Sequence, residues 1–406
     1  MEKPVAAIEL SSRQIKVVIG YVIDGDVQII YTMSKPIGHL VDAGSIPQDN
    51  LATLIAKIKQ SCSIEDSGAK LKINISDAVI ALPPYGLEVF QTKQETTVVT
   101  EDSTVTFQDV KNAYTMVRKC KLPVGNELVD ILPTQFILEH GAVYSVPPIN
   151  QKSSTLTVCA KIHSLPSHIA HSYTNAFRDA GISIKRKIVS PQGAIEIISS
   201  FDKHPSDYVL VDIGSDITTV SLVGGKKLYS SRFFNWGGEN INSQLKETLQ
   251  VNSDDAEKFK ILYGYDTREL SFDPEICSYE NEEGKEIKHT LSEFNACISK
   301  ELDIFISHLN AALDSLFASY DDPKYKTMPM LLIGGGSSLL GLKEYMNGKV
   351  PSKSINLVTP KTLGARNPSL FNCLGMILIN SKYPNAYDDN QSKIDSLGRN
   401  PKREGN

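Results

Sequence analysis

The sequence predicts an α/β protein of two facing lobes with a cleft between them. The main observation is a pair of similar strand–turn–strand units, one starting at Val5 and the other at Tyr208, about 200 residues apart. Internal duplication of this kind is typical of paired lobes, and ligands often bind between such lobes. Between residues 84 and 163 the pattern changes, because strand-like runs surround a single helix. This change indicates a small inserted α+β unit.

The first lobe is predicted to begin with a three-stranded meander over residues 5–10, 15–22 and 27–33, with Gly25 in an Asp-Gly-Asp turn. A helix over residues 50–59 follows, because apolar residues recur there at spacings of three and four. A strand over residues 78–82 must end at Pro83 and Pro84, which cannot continue regular structure.

The inserted unit is predicted to contain one helix, over residues 106–120, and strands over residues 89–99, 127–132, 135–139 and 153–162. A helix over residues 168–180 then returns to the first lobe. The second lobe continues from its strand at 208–212 into a helix-rich stretch over 241–317, interrupted by an acidic loop at 279–285, and ends in an α/β block over 328–379. Residues beyond 383 contain too few apolar side chains to pack, so we expect a disordered tail.

Composition narrows the class of protein. The chain has 406 residues, 41% hydrophobic and 22% charged, which is ordinary for a globular protein of about two to four domains. A formal net charge of -5 argues against a nucleic-acid partner, and the basic run at residues 185–187 is interpreted as a solvated turn or strand end. The six cysteines form no CxxC pair and no zinc-like spacing, so we expect reduced structural thiols.

The N-terminus and the apolar runs of the sequence bear on where the protein is located. The N-terminus has no charged region followed by a long apolar run, which predicts no secretory signal and a cytoplasmic location. No stretch approaches the roughly 20 apolar residues of a membrane-spanning helix. Any membrane contact is therefore expected to be peripheral or to go through a partner.

The segment with the most chemical information is residues 209–220, an apolar strand, a turn of small residues and a second strand. Asp212 at the strand end can hold water around a magnesium ion, while Gly214 and Ser215 let backbone N–H groups approach phosphate oxygens. Asp216 and Thr218 lie in the same segment, in the turn and at the start of the second strand. A tight hairpin whose aspartate only caps the turn would look the same.

Its N-terminal counterpart is residues 8–16, again a strand, a small polar turn and a strand. Ser11 and Ser12, followed by Arg13, could form a phosphate turn, and Lys16 lies on the next strand where its ammonium could reach a phosphate. In isolation, an exposed hairpin with a surface lysine explains this segment better.

A third segment, residues 330–342, is an apolar strand that opens a helix through Gly334, Gly335, Gly336 and Ser337. Three glycines let the backbone lie close to a base or an α-phosphate at a helix N-terminus. The spacing is neither GxGxxG nor a Walker A motif.

A fourth feature is the pair Glu257 and Lys260, which are three residues apart and therefore share one helix face. They could hold a ribose or form an ordinary surface ion pair.

Together these segments resemble, in order and spacing, the actin-like ATPase superfamily, which includes actin, heat-shock chaperones and sugar kinases. Within it the resemblance narrows to the FtsA family of bacterial cell-division proteins. Gly237-Gly238, residues 255–260 and Tyr263-Gly264 resemble that family's Gly-Gly, Ala-Glu-x-Ile-Lys and Tyr-Gly series. Residues 129–138 look like its 1C subdomain, and residues 363–368 resemble its C-terminal signature. The similarity covers roughly residues 5–380.

The resemblance implies an actin-like two-lobed fold with duplicated ribonuclease-H-like domains. The implied boundaries are subdomain 1A over residues 1–83 and 165–197, the inserted α+β subdomain 1C over 84–164, subdomain 2A over 198–242 and 327–382, subdomain 2B over 243–326, and a disordered tail over 383–406.

It also implies ATP and magnesium as cofactors. Magnesium would lie at Glu9 and Asp212. The implied nucleotide contacts are Ser11, Ser12, Arg13 and Lys16 in the phosphate-1 turn; Gly214, Ser215, Asp216 and Thr218 in the phosphate-2 turn; Gly237 and Gly238 after it; Glu257 and Lys260 at the ribose; and Gly334, Gly335, Gly336 and Ser337 in the adenosine loop.

The partners implied by the resemblance are other copies of the chain, stacked into filaments with the help of 1C, and the C-terminal peptide of the tubulin-like FtsZ, received by helices of 2B. The implied location is the inner face of the cell membrane at the division site.

Several positions depart from the family pattern. Glu9 stands where an aspartate is usual and Ser11 where a glycine is usual, which predicts weaker or altered binding. No carboxylate precedes Pro191, where filament ATPases place a water-positioning glutamate, so we expect slow ATP turnover at most. Ile298 replaces a common arginine, which predicts an altered FtsZ contact. The polar residues 398–406 carry no amphipathic helix, so membrane contact is expected through a segment outside this sequence or through a partner.

Two other functions fit part of the sequence. A sugar or acetate kinase could use the same fold, but no catalytic aspartate for a small acceptor is evident, and the 1C-like insert has no role in that chemistry. A pilus-assembly actin homologue also carries a 1C-like insert. The run at residues 364–368 and the long 2B-like stretch favour the FtsA family over it.

Overall fold

The computed structural model describes residues 3–42, 44–66, 71–266, 268, 271–280, 284–318 and 327–383. Lobe I is built on a five-stranded sheet with the order β11-β6-β1-β2-β3. Its first elements are β1 (Val5–Leu10), β2 (Gln14–Ile23), β3 (Asp26–Pro36), α1 (Gln48–Cys62), β4 (Ser63–Asp66), β5 (Leu71–Asn74) and β6 (Asp77–Leu82). The predicted meander and helix are confirmed, and Gly25 adopts φ 87° in the turn between β2 and β3.

The chain leaves lobe I after β6 and forms the insert, a four-stranded sheet with the order β7-β10-β8-β9 and one helix. Its elements are β7 (Glu88–Thr97), α2 (Phe107–Arg118), β8 (Asn126–Leu138), β9 (Val143–Tyr144) and β10 (Thr155–Pro166). The prediction of two separate strands over 127–132 and 135–139 was wrong. They form one strand, β8, because a bulge beside Pro133 absorbs the irregularity without ending the pairing with β10.

The chain returns to lobe I through α3 (Ser167–Asp179), β11 (Ser183–Val189) and α4 (Ser190–Ile198). The basic run at residues 185–187 lies in β11 and is neutralised. Lys185 pairs with Asp77, Lys187 with Glu127 at 2.8 Å, and the buried Arg186 with Asp130 at 2.8 Å. The interpretation of this run as a solvated turn or strand end was wrong, because it lies inside β11 and its central residue, Arg186, is buried.

Lobe II repeats the sheet of lobe I. Its order, β14-β13-β12-β17-β18, again consists of a three-stranded antiparallel meander extended by two parallel strands. Its elements are β12 (Tyr208–Ile213), β13 (Thr218–Gly224), β14 (Lys227–Phe234), β17 (Met330–Ile333), α8 (Leu342–Met346) and β18 (Ile355–Leu357). The predicted duplication is thus a duplication of topology.

Between β14 and β17 the chain forms α5 (Gly238–Leu249), α6 (Ser253–Tyr263), β15 (Glu275–Glu280), β16 (Glu286–Thr290) and α7 (Leu291–Phe317). The acidic loop expected at 279–285 is not wholly a loop, since Tyr279 and Glu280 belong to β15, which pairs with β16, while residues 284 and 285 lie outside both strands. The strands were missed because they are short and largely polar, so their period-2 pattern is weak.

Helix α9 (Phe371–Lys382) packs on lobe I against α4, and these two helices cross at glycines. A Cβ on Gly375 would lie 1.7 Å from the carbonyl oxygen of Gly193, so the backbones meet without side chains between them. The polar tail expected beyond 383 lies outside the described residues. All six cysteines are free thiols. Among the described residues, no helix combines the length and apolar character needed to span a membrane.

Candidate functional site

The two lobes carry equivalent turns that face each other. In lobe I the turn at residues 11–14 joins β1 to β2, and Ser11 N donates to Gln14 O at 2.9 Å. In lobe II the turn at residues 214–217 joins β12 to β13, and Gly214 N donates to Ile217 O at 3.0 Å. Each turn has four residues between the closing pairs of its hairpin. The duplicated strands therefore present the same backbone shape to the cleft from both sides.

A cavity of about 670 Å³ lies between these turns. The predicted site residues that line it come from both lobes and from α5 and α6: Glu9, Ser11, Ser12, Arg13, Lys16, Asp212, Gly214, Ser215, Gly238, Glu257, Lys260, Gly335 and Gly336. The structure thus brings together segments that are separated by more than 300 residues in the sequence. Their role in binding a nucleotide stays a prediction.

Five predicted site residues do not line the cavity. Asp216 points across the cleft, where it pairs with Arg13. Thr218 is fully buried, and its hydroxyl donates to Trp236 O at 2.8 Å. The other three, Gly237, Gly334 and Ser337, lie behind the cavity wall and shape the backbone.

Glu9 and Asp212 lie at the floor of the cavity, at the ends of β1 and β12. Asn372 from α9 joins them, because its amide nitrogen donates to Glu9 Oε1 at 2.8 Å and lies 3.5 Å from Asp212 Oδ2. Lys16 donates to Glu9 Oε2 at 3.1 Å. The floor thus holds two carboxylates, one ammonium and one amide, contributed by both lobes and by the C-terminal helix.

The electrostatics of this floor follow from burial. Burial, and then the neighbouring charge of Glu9, raise the pKa of Asp212 to about 6. Burial opposes the charge of the Lys16 ammonium, but Glu9 and Asp212 outweigh it and raise the pKa of Lys16. A further cation beside the two carboxylates would be stabilised by the same field.

The acidic floor fits a magnesium ion. Carboxylate oxygens from two elements converge there, and Mg²⁺ binds through one or two carboxylates while taking its other ligands from water and phosphate. In the described part of the chain no three His, Cys, Asp or Glu side chains form a metal cluster. The ion would therefore depend on a phosphate ligand to complete its coordination.

The glycine segment forms a 3-10 turn at Gly335–Ser338, and each of its glycines has a different environment. Gly334 adopts φ 85°, and a Cβ there would lie 2.4 Å from Asp212 Oδ1. A Cβ on Gly336 would lie 2.4 Å from Cγ2 of Ile213. Gly335 has open space in front of it. Two glycines thus serve the packing of the loop on β12, and the third opens the loop to the cavity.

Glu257 and Lys260 form an ion pair at the opposite wall. Lys260 Nζ lies 2.5 Å from Glu257 Oε2 and 3.2 Å from Gly238 O, and Asn242 donates to the same glutamate oxygen at 2.7 Å. The pair is therefore part of the α5–α6 contact inside the cavity and not an isolated surface pair.

Sequence reasoning missed several residues of the site. Asn372 is a polar residue in the apolar first part of α9, residues 371–379, and a polar residue in such a run is the one signal that could have found it. Tyr85 lines the cavity and contacts Phe233 of lobe II, with ring centroids 4.5 Å apart. Ser190 lines the cavity at the start of α4, and its hydroxyl donates to Leu82 O at 3.2 Å.

Comparison with solved structures identifies the fold. The chain is similar to a protein of the "PilM-PilN type IV pilus biogenesis complex", with a TM-score of 0.59 and 16% identity over 92% of this chain and 97% of the other. It is also similar to the ethanolamine utilization protein EutJ from Carboxydothermus hydrogenoformans, with a TM-score of 0.51 and 13% identity over 93% and 90% of the two chains. MreB5 of Spiroplasma citri, solved bound to ADP, matches with a TM-score of 0.51 and 10% identity over 98% and 99%.

Comparison of sequences finds similarity to the cell division protein FtsA. The family model "Cell division protein FtsA" matches residues 209–375. The cell division protein FtsA of Enterococcus faecalis is 22% identical over 94% of this chain and 84% of its own length, and that of Enterococcus hirae is 23% identical over the same shares. By sequence the chain is similar to the cell division protein FtsA, and its fold is that of the actin-like ATPases.

The structure shows where Ile298 lies, the position at which the resemblance predicts a departure from the FtsA pattern. Ile298 is on α7 and is fully buried in the core of lobe II. Its side chain therefore packs against the protein itself, and any effect on a partner has to act through the shape of α7.

Proposed function

We propose that this FtsA-like chain is an ATP-binding scaffold of the bacterial division ring that assembles into filaments. The observation that carries the proposal is the cavity between two equivalent turns, with paired carboxylates at its floor. A triphosphate would place its phosphates between the turns at residues 11–14 and 214–217, from which Ser12 and Ser215 line the cavity. Magnesium would neutralise phosphate charge beside Glu9 and Asp212.

The remainder of the cavity fits a nucleoside. Glu257 and Lys260 would contact the ribose, and the open face of the loop at residues 334–337 would lie against the adenosine. Gly335 supports this placement, because no atom lies within 4 Å of its Cβ position.

The same geometry supports slow ATP turnover or none. Helix α4 begins beside the cavity with Ser190, whose hydroxyl is used by Leu82 O. A serine that donates to a carbonyl cannot take a proton from an attacking water as a carboxylate does. ATP would then act as a ligand that fixes the closure of the lobes and so favours one filament conformation.

The partners proposed for the chain follow the relatives named cell division protein FtsA. The region over residues 243–326 would receive the C-terminal peptide of FtsZ, and the insert would take part in filament contacts. The protein would act in the cytoplasm at the inner face of the membrane at the division site, and would link FtsZ to that membrane.

The nucleotide part of the proposal is tested by titrating the full chain with a fluorescent ATP analogue, with and without Mg²⁺. We expect Mg²⁺ to strengthen binding and Asp212→Asn to lose about tenfold or more of that gain. Asp202→Asn, an exposed carboxylate outside the cavity, is the matched control and should bind as the parent does. Absence of binding under both conditions would overturn the proposal.

The scaffold part is tested by pelleting the chain with lipid vesicles and an FtsZ tail peptide, with and without Mg-ATP. Nucleotide-dependent filaments or peptide capture are expected. Transfer of phosphate to a sugar or to acetate would instead identify a kinase.

A second candidate function is pilus assembly, which the fold similarity to the PilM-PilN complex favours. The two candidate functions are distinguished by offering the FtsZ tail peptide and a PilN-type peptide to the same preparation of the chain. Selective retention of the PilN-type peptide would reverse the choice.

A further inference from the structure

An ion pair crosses the cleft at the outer end of the phosphate turns. Arg13 Nε lies 2.9 Å from Asp216 Oδ1 and 3.0 Å from Oδ2, so one donor is shared by both carboxylate oxygens. Arg13 Nη1 is also 4.0 Å from Glu239 Oε1 at the start of α5. Arg13 belongs to lobe I, whereas Asp216 and Glu239 belong to lobe II.

The two partners occupy the same position in the two equivalent turns. Each is the third residue of a four-residue turn closed by matching pairs, Leu10 with Ile15 in lobe I and Ile213 with Thr218 in lobe II. Arg13 and Asp216 are 203 residues apart, which is also the separation of Glu9 and Asp212. The duplicated fold therefore places like charges opposite each other at the floor and opposite charges at the rim.

The environment makes this pair more than a surface contact. The side chains of Arg13 and Asp216 are 33% and 20% exposed, so water screens them only in part. The backbone of each turn is also fixed. Ile37 N donates to Arg13 O at 2.8 Å, and Glu239 N donates to Ser215 O at 2.8 Å. Two rigid turns thus hold the charges in register, which lowers the entropy cost of pairing.

We propose that the pair Arg13–Asp216 is a latch that holds the two lobes closed and slows the entry and release of a ligand in the cleft. The lobes share a hydrophobic core in which α4 and α9, crossing backbone to backbone at Gly193 and Gly375, pack against strands of lobe II as well as lobe I. The pair Arg13–Asp216 adds a contact between the lobes outside that core and therefore opposes their opening. The nature of the ligand rests on the proposed function, but closure of the lobes does not.

The latch is tested first without any ligand, by hydrogen–deuterium exchange of the full chain. Arg13→Asp and Asp216→Arg each place like charges opposite each other, so the turns at residues 11–14 and 214–217 should exchange about three- to tenfold faster. The double variant R13D/D216R restores the pair in reverse and should exchange more slowly than either single variant, although its aspartate at position 13 also faces Glu239. The reversal suits the backbone, because the incoming residue type already occupies the equivalent position of the facing turn.

The second measurement is the release rate of a fluorescent ATP analogue in stopped flow. A latch predicts faster release from both single variants and slower release from R13D/D216R than from either of them. If Arg13 instead binds phosphate directly, the double variant should release fastest, since an aspartate then faces the phosphates; that result would overturn the proposal. A chain that binds no nucleotide would fail only this second measurement, and exchange would still decide whether the latch exists.

A matched control reverses an ion pair elsewhere. Glu65 and Lys72 face each other across β4 and β5, 2.5 Å apart and about two-thirds exposed, and do not line the cavity. E65K/K72E and its single variants should leave exchange at the turns unchanged. Unchanged exchange in Arg13→Asp as well would refute the latch.

Discussion

His163 gives a prediction whose size can be worked out from the structure. It lies on β10 at the base of the insert, is fully buried, and has no hydrogen-bond partner for either ring nitrogen among the described residues. Burial, and then the nearby charges of Lys161, Lys227 and Arg186, lower the pKa of His163 to about 3. The folded chain therefore keeps this imidazole neutral under conditions in which the unfolded chain protonates it.

The sign and magnitude follow from linkage. The pKa of His163 is 6.5 in the unfolded chain and about 3 in the folded chain. Its titration therefore costs no stability above pH 6.5, and the free energy of unfolding falls as the pH drops below that value. Between pH 7.5 and pH 5 the loss amounts to about 2 kcal/mol of unfolding free energy. His163→Leu removes the titrating group without leaving a hydrogen-bond partner unsatisfied, so the variant should lack this loss.

The assay is urea unfolding at several pH values, followed by far-ultraviolet circular dichroism. Trp236 is the single tryptophan and lies in the core of lobe II, so its fluorescence would not report on the insert. His140→Gln replaces an exposed histidine of the same insert and serves as the control. The parent should lose about 2 kcal/mol more than His163→Leu between the two pH values, and an equal loss in both would refute the reasoning.

Four further substitutions have expected outcomes. Gly336→Ala should lower the melting temperature by overpacking against β12, at a cost of about 1–3 kcal/mol, whereas Gly335→Ala should keep it and weaken binding of a fluorescent ATP analogue. Asn372→Ala should cost about 1.5–3 kcal/mol in urea unfolding, because it removes a hydrogen bond to a buried carboxylate; equal stability would contradict the assigned bond. Gly375→Ala should force α9 away from Gly193 and lower the melting temperature, and an unchanged value would mean that the helices can separate freely.

The elements with strong periodicity were predictable. The first meander and the helix at Gln48–Cys62 follow local rules, since alternating or three-and-four spacing decides which face is buried. The strand β8 was divided in the prediction because Pro133 usually ends a strand. In the fold, Ala160 of β10 lies opposite Pro133, and the neighbouring bulge lets the ladder continue. Only the paired strand reveals that outcome.

The residues of the floor were predictable in part for a different reason. Glu9 and Asp212 end strands of the same type, so their positions follow from each hairpin alone. Asn372 reaches them from a helix 363 residues after Glu9, and no local pattern encodes where α9 crosses α4. The crossing is set by Gly193 and Gly375, which become informative only when both helices are placed.

The contact between Arg13 and Asp216 could have been predicted from the sequence, but only by comparing two segments that lie far apart in the chain. Once Glu9 is aligned with Asp212, the same separation of 203 residues sets Arg13 against Asp216. Facing lobes related by duplication bring equivalent turn positions close together, so opposite charges at one such position imply a contact across the cleft. The identical alignment sets Lys16 against Thr219, a position with no second charge. Lys16 therefore turns to Glu9 on its own sheet, 3.1 Å away, and the floor keeps its net negative charge for a cation.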